Sequence, residues 1–442
     1  MARGDLALFG GCGAVSEGGE DPQVWPIIGR EDEDAVLGVL RRGAMSANDV
    51  SLVFENELAG YFGVRSALTF PNGTESLRSA LWALGVAAGD EVICPSMTYW
   101  ASCAGALTLG AAVNFADCDS KTLCIDPGDI EHRIGPRTKV VIAVHYGAHP
   151  CDMDPILAIA RRHGVKVLED VSHAQGGLYK GRKLGSLGDA AGLSLMSGKS
   201  LVAGECGALL TNNRQVYERA VAYGFYERTG AGARWTGAVA EPFVTDPELL
   251  PYAGLPLGGV KHRVNQLASA LGRAQLRRYP ERMAEIDQAM RHFCDRLDVM
   301  PGLRCIRVGG KDGSTMGGWY AAHVAYDPAA FGGAPVARFC EAVAAEGVLG
   351  VNPGANMPLH THPLFHTADI FGQGKPTMVA FGQRDVRQGP GSLPATERAN
   401  ETTFSLPWFK RLVPEVMDQY IAAFRKVADN AAVLTQGISE GH

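Results

Sequence analysis

From residue 67 to residue 210 the chain alternates apolar runs of about five residues with stretches of helical periodicity, and few folds accommodate that rhythm. The runs lie at 67–70, 91–94, 112–115, 140–144, 165–168, 192–195 and 207–210. Each is short, nearly continuous in apolar residues and bounded by turn formers, as strands buried on both faces of a parallel sheet are. Between them, Leu77, Ala80, Leu81 and Leu84 follow the i, i+3, i+4, i+7 rule, and 152–163 opens with aspartates that complement a helix dipole. The pattern predicts an α/β fold: a mostly parallel seven-stranded sheet flanked by helices.

The flanking regions read differently. Residues 1–62 contain two short amphipathic stretches, around 35–40 and 53–62, and are expected to form an arm that packs on a large domain spanning 63–280. Past 214 the chain turns mostly helical, with a proline-rich excursion at 241–257 and two long helices expected at 264–278 and 280–299. Residues 281–442 then suit a smaller α/β domain, with a strand near 320–325 and helices at 335–346 and 414–433. Inside it, 358–393 is a long loop interrupted by glycine and proline, and loops of that length are usually functional or disordered.

Composition narrows the function. A chain of 442 residues with 46% hydrophobic content can bury cores of this size. The net charge of −6, with lysines and arginines scattered, offers no basic field for nucleic acid. The N-terminus, Met1 to Asp5, lacks the long apolar core of a signal peptide and no uninterrupted apolar run approaches the length of a membrane span, so a cytoplasmic protein without membrane partners is expected. The ten cysteines contain no Cys-x-x-Cys pair and read as reduced, mostly core residues.

Four stretches carry chemistry. Lys199 lies between two apolar runs, where partial burial lowers an amine's pKa and makes it a usable nucleophile; a surface lysine on a glycine turn is the alternative. Asn72-Gly73-Thr74, at a strand-to-helix junction, suits a phosphate cradle or an ordinary capped helix start. Glu169-Asp170 ends the fifth run, where open α/β sheets bind ligands, and an aspartate there could pair with a protonated ring nitrogen or simply be solvated. Tyr99 follows the second run and could lie flat on an aromatic cofactor or serve packing alone. Two tempting motifs fail: Gly198-Lys199-Ser200 lacks the P-loop's first glycine, since position 193 is leucine, and His360, His362, His366 and Asp369 sit at spacings ill suited to one metal.

Together Asn72-Gly73-Thr74, Pro95-Ser96-Met97-Thr98-Tyr99, the run from Glu169 to Gly176, and Ser194 to Lys199 followed by Gly204-Glu205-Cys206-Gly207 resemble, in order, the signatures of the DegT/DnrJ/EryC1/StrS aminotransferases. The resemblance runs from about residue 6 to residue 407. It implies a fold-type I enzyme that uses pyridoxal 5'-phosphate to move an amino group from glutamine or glutamate to a keto sugar or keto cyclitol, as in amino-sugar and antibiotic biosynthesis. It further implies that Lys199 carries the cofactor covalently, that Asp170 pairs with its ring nitrogen, that Tyr99 stacks on the ring, that Gly73, Thr74 and Ser194 hold the phosphate, and that His173 lies beside the ring. The run Gly259 to Val264 is similar to a segment whose asparagine reaches the phosphate of the neighbouring subunit; here that position is Lys261, so a homodimer with a shared active site is implied. Arg228 and His360 are the candidate substrate contacts, in a pocket drawing on the arm, residues 223–234 and the 358–393 loop.

Leu6 to Gly11 and Pro358-Leu359-His360 resemble the branch holding inosose aminotransferases and aminohydroxybenzoate synthases. A lyase or dehydratase on the same fold is the nearest alternative, although the dehydrating branch replaces the lysine by histidine. A non-catalytic regulatory protein of this fold is a further one.

Overall fold

The computed structural model describes residues 5–16, 21–229 and 242–435; part of the expected 223–234 pocket segment lies outside them. All seven expected strands are present: β1 (Ser66–Phe70), β2 (Glu91–Pro95), β3 (Ala112–Ala116), β4 (Thr138–Val144), β5 (Lys166–Asp170), β6 (Ala190–Ser194) and β7 (Gly207–Thr211). They form one sheet in the order β1-β7-β6-β5-β4-β2-β3. Strands β2 to β6 pair in parallel, whereas β7 runs antiparallel to both β6 and β1.

That reversal positions the chemistry. Because β7 returns against β6, the link between them stays at the carboxyl end of β6 instead of crossing the sheet. Its neck is closed by Leu195 N–H to Cys206 O and Ala203 N–H to Leu195 O, both 2.8 Å. Register sets Ser194 opposite Gly207, Gly207 opposite Phe70, and Asp170 opposite Gly192. The ends of β1, β5 and β6 therefore gather at one edge, where ligands bind in open α/β sheets.

Helices α1 (Arg30–Arg41) and α2 (Asp49–Phe62) precede the sheet, α3 (Gly73–Ala83) and α4 (Met153–His163) connect its strands, and α5 (Arg214–Gly224) leads the chain away from β7. The two helices expected on either side of Pro280 are a single helix, α6 (Gln266–Leu297), with the proline inside it. An interior proline costs a helix roughly 3 kcal/mol. Packing on both sides offsets it: Leu276 and Tyr279 are buried in the sheet's core, and Ile286, Ala289, Met290 and Phe293 in a second, smaller core. The division expected at residue 280 thus falls inside one helix.

The second core surrounds an antiparallel sheet of β8 (Leu303–Cys305), β9 (His323–Tyr326) and β10 (Thr403–Ser405), with α7 (Val336–Ala345) and α8 (Pro414–Asp429). It also takes up the start of the chain. Leu6 is fully buried there, and Ala7 N–H donates to Glu346, so this part of the arm packs on the smaller core while α1 and α2 pack on α6.

The 358–393 loop has a structural task. Leu359, Phe365, Met378, Val386 and Leu393 are buried in the core of the seven-stranded sheet. Gln388 accepts from Phe115 N–H and donates to Phe115 O, both at 2.8 Å, so its amide takes the place of a neighbouring strand along β3. An open edge strand invites unwanted pairing, and here it is covered. Among the described residues no helix is long and apolar enough to cross a membrane.

Candidate functional site

Lys199 sits in the link between β6 and β7 with only 8% of its surface exposed. Its backbone is fixed at both polar atoms: the N–H donates to Met196 O and the carbonyl accepts from Trp25 Nε1, each at 2.8 Å. Burial brings its amine down to about 8 from an ordinary value of 10.5, against the opposing pull of the Asp170 carboxylate. At pH 7 this leaves roughly 300-fold more of the amine unprotonated than for an exposed lysine.

Asp170 ends β5, and both its oxygens are held: Oδ2 accepts from Ser102 Oγ at 2.6 Å and Oδ1 from Ser172 N–H at 3.0 Å. Ser102 reaches it because the chain after β2 forms a short 3-10 turn, Trp100–Ser102, which begins at Tyr99. Tyr99 itself keeps 51% of its surface exposed. His173, three residues past Asp170, is buried with its Nδ1 lacking any hydrogen-bond partner. Burial, then the Lys199 charge, then His323 hold its pKa well below the usual histidine range, so the ring is neutral.

The junction after β1 forms a cradle. Asn72 caps α3 by accepting from Glu75 N–H at 2.9 Å, which leaves the first N–H groups of the helix for another acceptor. The turn is pressed between two strands. A Cβ on Gly73 would fall 2.8 Å from Ser194 Cα, and one on Gly207 would fall 2.4 Å from the Asn72 carbonyl carbon. Only glycine permits that approach. Ser194 closes the far side, its backbone N–H bonded to Ser172 Oγ at 3.0 Å. Gly73, Thr74 and Ser194 are thereby brought to the same edge as Asp170, His173 and Lys199.

Gln175 ties the cradle to the lysine loop, a role its sequence context did not announce. Fully buried, it donates from Nε2 to Ser194 O and accepts at Oε1 from Ser200 Oγ (2.7 Å) and Leu201 N–H (3.0 Å). Tyr279 Oη in turn donates to the Gln175 carbonyl at 2.8 Å. Position within the Glu169–Gly176 motif was the only signal available.

The two expected substrate contacts are committed elsewhere. Arg228 is 4% exposed, and its terminal nitrogens pair bidentately with Glu55 at 2.9 Å, while Glu55 also accepts from Thr69. Freeing that guanidinium would strand a buried carboxylate. His360 is likewise buried, with Nδ1 bonded to Ser96 Oγ at 2.8 Å and Nε2 to Glu397 at 2.9 Å, an anchor that pins the loop to the end of β2. No hydrogen bond or ring contact joins either residue to Lys199, Asp170 or His173 among the described residues. His366 Nε2 meets the His360 carbonyl and His362 Nδ1 accepts from Leu364 N–H, so these imidazoles do not converge; among the described residues no such group could hold a metal. Lys261 is exposed, while His262 beside it is buried with Nε2 3.0 Å from Glu75, in the first turn of α3.

The unpartnered His173 nitrogen, the glycine-lined cradle and the buried lysine facing a carboxylate fit a phosphorylated aromatic aldehyde. Comparison with known proteins agrees. The chain is 32% identical over 352 residues to an L-glutamine:2-deoxy-scyllo-inosose aminotransferase of Streptoalloteichus tenebrarius, covering 78% of this chain and 80% of the relative. It is 29% identical over 417 residues to the spore coat polysaccharide biosynthesis protein SpsC of Bacillus subtilis, covering 93% and 97%. Among solved structures, DesI in the presence of its TDP-sugar product superposes with a TM-score of 0.78 at 26% identity, covering 98% of this chain and 99% of that one. The model of the DegT/DnrJ/EryC1/StrS aminotransferase family matches residues 26–425. The chain belongs to the DegT/DnrJ/EryC1/StrS aminotransferase family and is a pyridoxal-phosphate-dependent aminotransferase.

Proposed function

We propose that this enzyme moves the amino group of glutamine or glutamate onto a keto cyclitol or keto sugar in the cytoplasm, with Lys199 as the residue that carries the cofactor and then shuttles the proton. The observation that carries the reading is a buried lysine titrating near 8 beside Asp170 and an uncharged His173. The names of its relatives, L-glutamine:2-deoxy-scyllo-inosose and L-glutamine:scyllo-inosose aminotransferase, support a keto cyclitol acceptor and glutamine as donor.

In this reading Gly73, Thr74 and Ser194 hold the phosphate, Tyr99 lies on the ring, Asp170 pairs with the ring nitrogen and His173 flanks the ring. Bound, the cofactor supplies an electron sink that stabilises negative charge at the donor's α-carbon. The donor amine frees Lys199, whose Nζ takes the proton from that α-carbon. In the second stage Lys199 delivers a proton to the acceptor carbon that receives nitrogen. His173, being neutral, neither repels the protonated lysine nor competes for its proton. Retention of lysine at position 199 favours amination over the dehydration performed by the histidine-bearing branch.

Glutamine added to the holoenzyme is expected to convert the cofactor absorbance stoichiometrically, and a keto cyclitol is expected to restore it. An unchanged spectrum with both glutamine and glutamate would remove the reading. Restoration by a nucleotide-linked keto sugar alone would move the acceptor to the sugar class.

A homodimer belongs to the same proposal. Lys261 stands exposed on a segment fixed by His262 against the first turn of α3, a position suited to reaching a phosphate across a two-fold axis. Sedimentation is expected to give a dimer, and Lys261→Ala to weaken cofactor binding about tenfold. A monomer at micromolar concentration, or unchanged affinity, contradicts the shared site.

A further inference from the structure

The segment Gly318-Trp319-Tyr320-Ala321 is held in an unusual backbone conformation: φ is +67° at Gly318, +58° at Trp319 and +54° at Ala321. Two of these three are not glycine, and one carries an indole. Such conformations persist only where the surroundings over-determine them, and they cluster at functional sites. Here three contacts impose it. A Cβ on Gly318 would lie 2.3 Å from Ser200 Cβ, so the backbone is seated directly on the lysine loop. Trp319, fully buried, donates from Nε1 to Asp287 Oδ1 at 2.8 Å. Trp408 Nε1 donates to the Gly318 carbonyl at 3.0 Å.

What this conformation presents is the ring of Tyr320. Lys199 Nζ lies 4.0 Å from its centroid, and His173 meets it at 5.0 Å in a T-shaped contact. Trp408 supports the ring edge-on at 5.5 Å, and Trp25 lies 5.5 Å from Trp408. Trp25 also holds the Lys199 carbonyl, so residues from both ends of the chain and from the smaller core meet on one lysine. A cation seated on an aromatic face is stabilised by the ring quadrupole, more strongly where water is excluded.

We propose that Tyr320 is a positioning residue for Lys199: its ring face seats the amine whenever the lysine is not bonded to the cofactor, keeping Nζ at the reacting carbons, while Trp408 and Trp25 hold the ring in place. The assignment rests on the role of Lys199 given above. It separates the strained backbone from a purely structural turn, because a turn would not require an aromatic face at that position.

The seat favours the charged amine. Of the other groups facing Lys199, Asp170 favours it too, whereas burial opposes it, and His173, being neutral, does neither. Tyr99 influences Tyr320, His323 lies behind His173, and Lys410 sits 4.2 Å over Trp408 on its other contacts. Removing the ring face therefore moves the deprotonation midpoint of Lys199 to lower pH.

The test is a single-turnover reaction of holoenzyme with glutamine, followed by cofactor absorbance across about pH 6 to 10. Tyr320→Phe keeps the face and is expected to stay within about twofold of the unsubstituted rate with its midpoint unmoved. Tyr320→Leu is expected to slow the reaction about tenfold and lower the midpoint by about one unit. Trp408→Leu, which removes the edge-on support and the hydrogen bond to the Gly318 carbonyl but leaves the Tyr320 ring face, should shift both in the same direction by less, and it carries the test if Tyr320→Leu does not fold. Leucine variants with the unsubstituted rate and midpoint overturn the proposal, as does a Tyr320→Phe variant as impaired as Tyr320→Leu, which would give the role to the hydroxyl. If the unsubstituted holoenzyme itself shows no response to glutamine or glutamate, the transaminase reading fails, and that result is distinct from a leucine variant matching an active parent.

Discussion

Lys199→Ala is expected to lose transamination by on the order of 10⁴-fold or more while remaining folded and able to bind the cofactor non-covalently. In the proposed function the lysine acts twice in each half of the reaction, as the covalent carrier and as the group that moves the proton. His173 is neutral but held well below the usual histidine range, which makes it a poor proton acceptor. The fold should tolerate the change because both polar contacts of residue 199 are made by its backbone, to Met196 and to Trp25. Deleting a buried amine also removes the desolvation that depresses its pKa. The expected result is a circular dichroism spectrum and melting curve close to those of the parent, with turnover at background. Measurable turnover above about one hundredth of the parent would place the proton transfer elsewhere.

Asp170→Asn is the second large effect, expected to reduce turnover about 10² to 10³-fold. Asparagine preserves the shape and most of the hydrogen bonding: its carbonyl can accept from Ser172 N–H, and its amide can donate to Ser102 Oγ, which has lone pairs to receive it. What it removes is the negative charge and, in the proposed function, the preference for a protonated ring nitrogen that would make the electron sink effective. The loss should appear in kcat of both half-reactions rather than in folding. Asp170→Ala, by contrast, would leave the Ser172 N–H without its acceptor, Ser102 Oγ keeping Thr98 Oγ1 at 2.7 Å, and should lower stability as well, by about 1 to 3 kcal/mol. An Asp170→Asn enzyme with parental kcat would mean that the carboxylate serves only to fix the Tyr99–Ser102 turn.

The sheet was legible because buried parallel strands need nearly continuous apolar runs, and seven such runs stand clear of their surroundings in this chain. The buried positions of Lys199 and Asp170 stood out for a related reason, since a charge placed at the end of an apolar run is conspicuous. Pro280 misled because a local rule, the cost of proline inside a helix, was overridden by two cores that grip the same helix from either side. Arg228 misled because its partner, Glu55, lies 173 residues away and no local pattern links them. The 358–393 loop was expected to contribute to the substrate pocket, yet its apolar residues Leu359, Phe365, Met378, Val386 and Leu393 are buried in the core of the seven-stranded sheet and Gln388 covers β3. Gln175 and Tyr320 were missed for the opposite reason: each matters through contacts with segments far away in sequence, and the positive φ values around Tyr320 follow from tertiary packing rather than from residue type.

The most direct measurement of the central claim is borohydride reduction of the holoenzyme followed by peptide mass mapping. The cofactor adduct is expected on the peptide containing Lys199 and on no other, and it should disappear in Lys199→Ala. An adduct on a different lysine, with Lys410 the other buried candidate whose amine burial brings to about 8, would contradict the account.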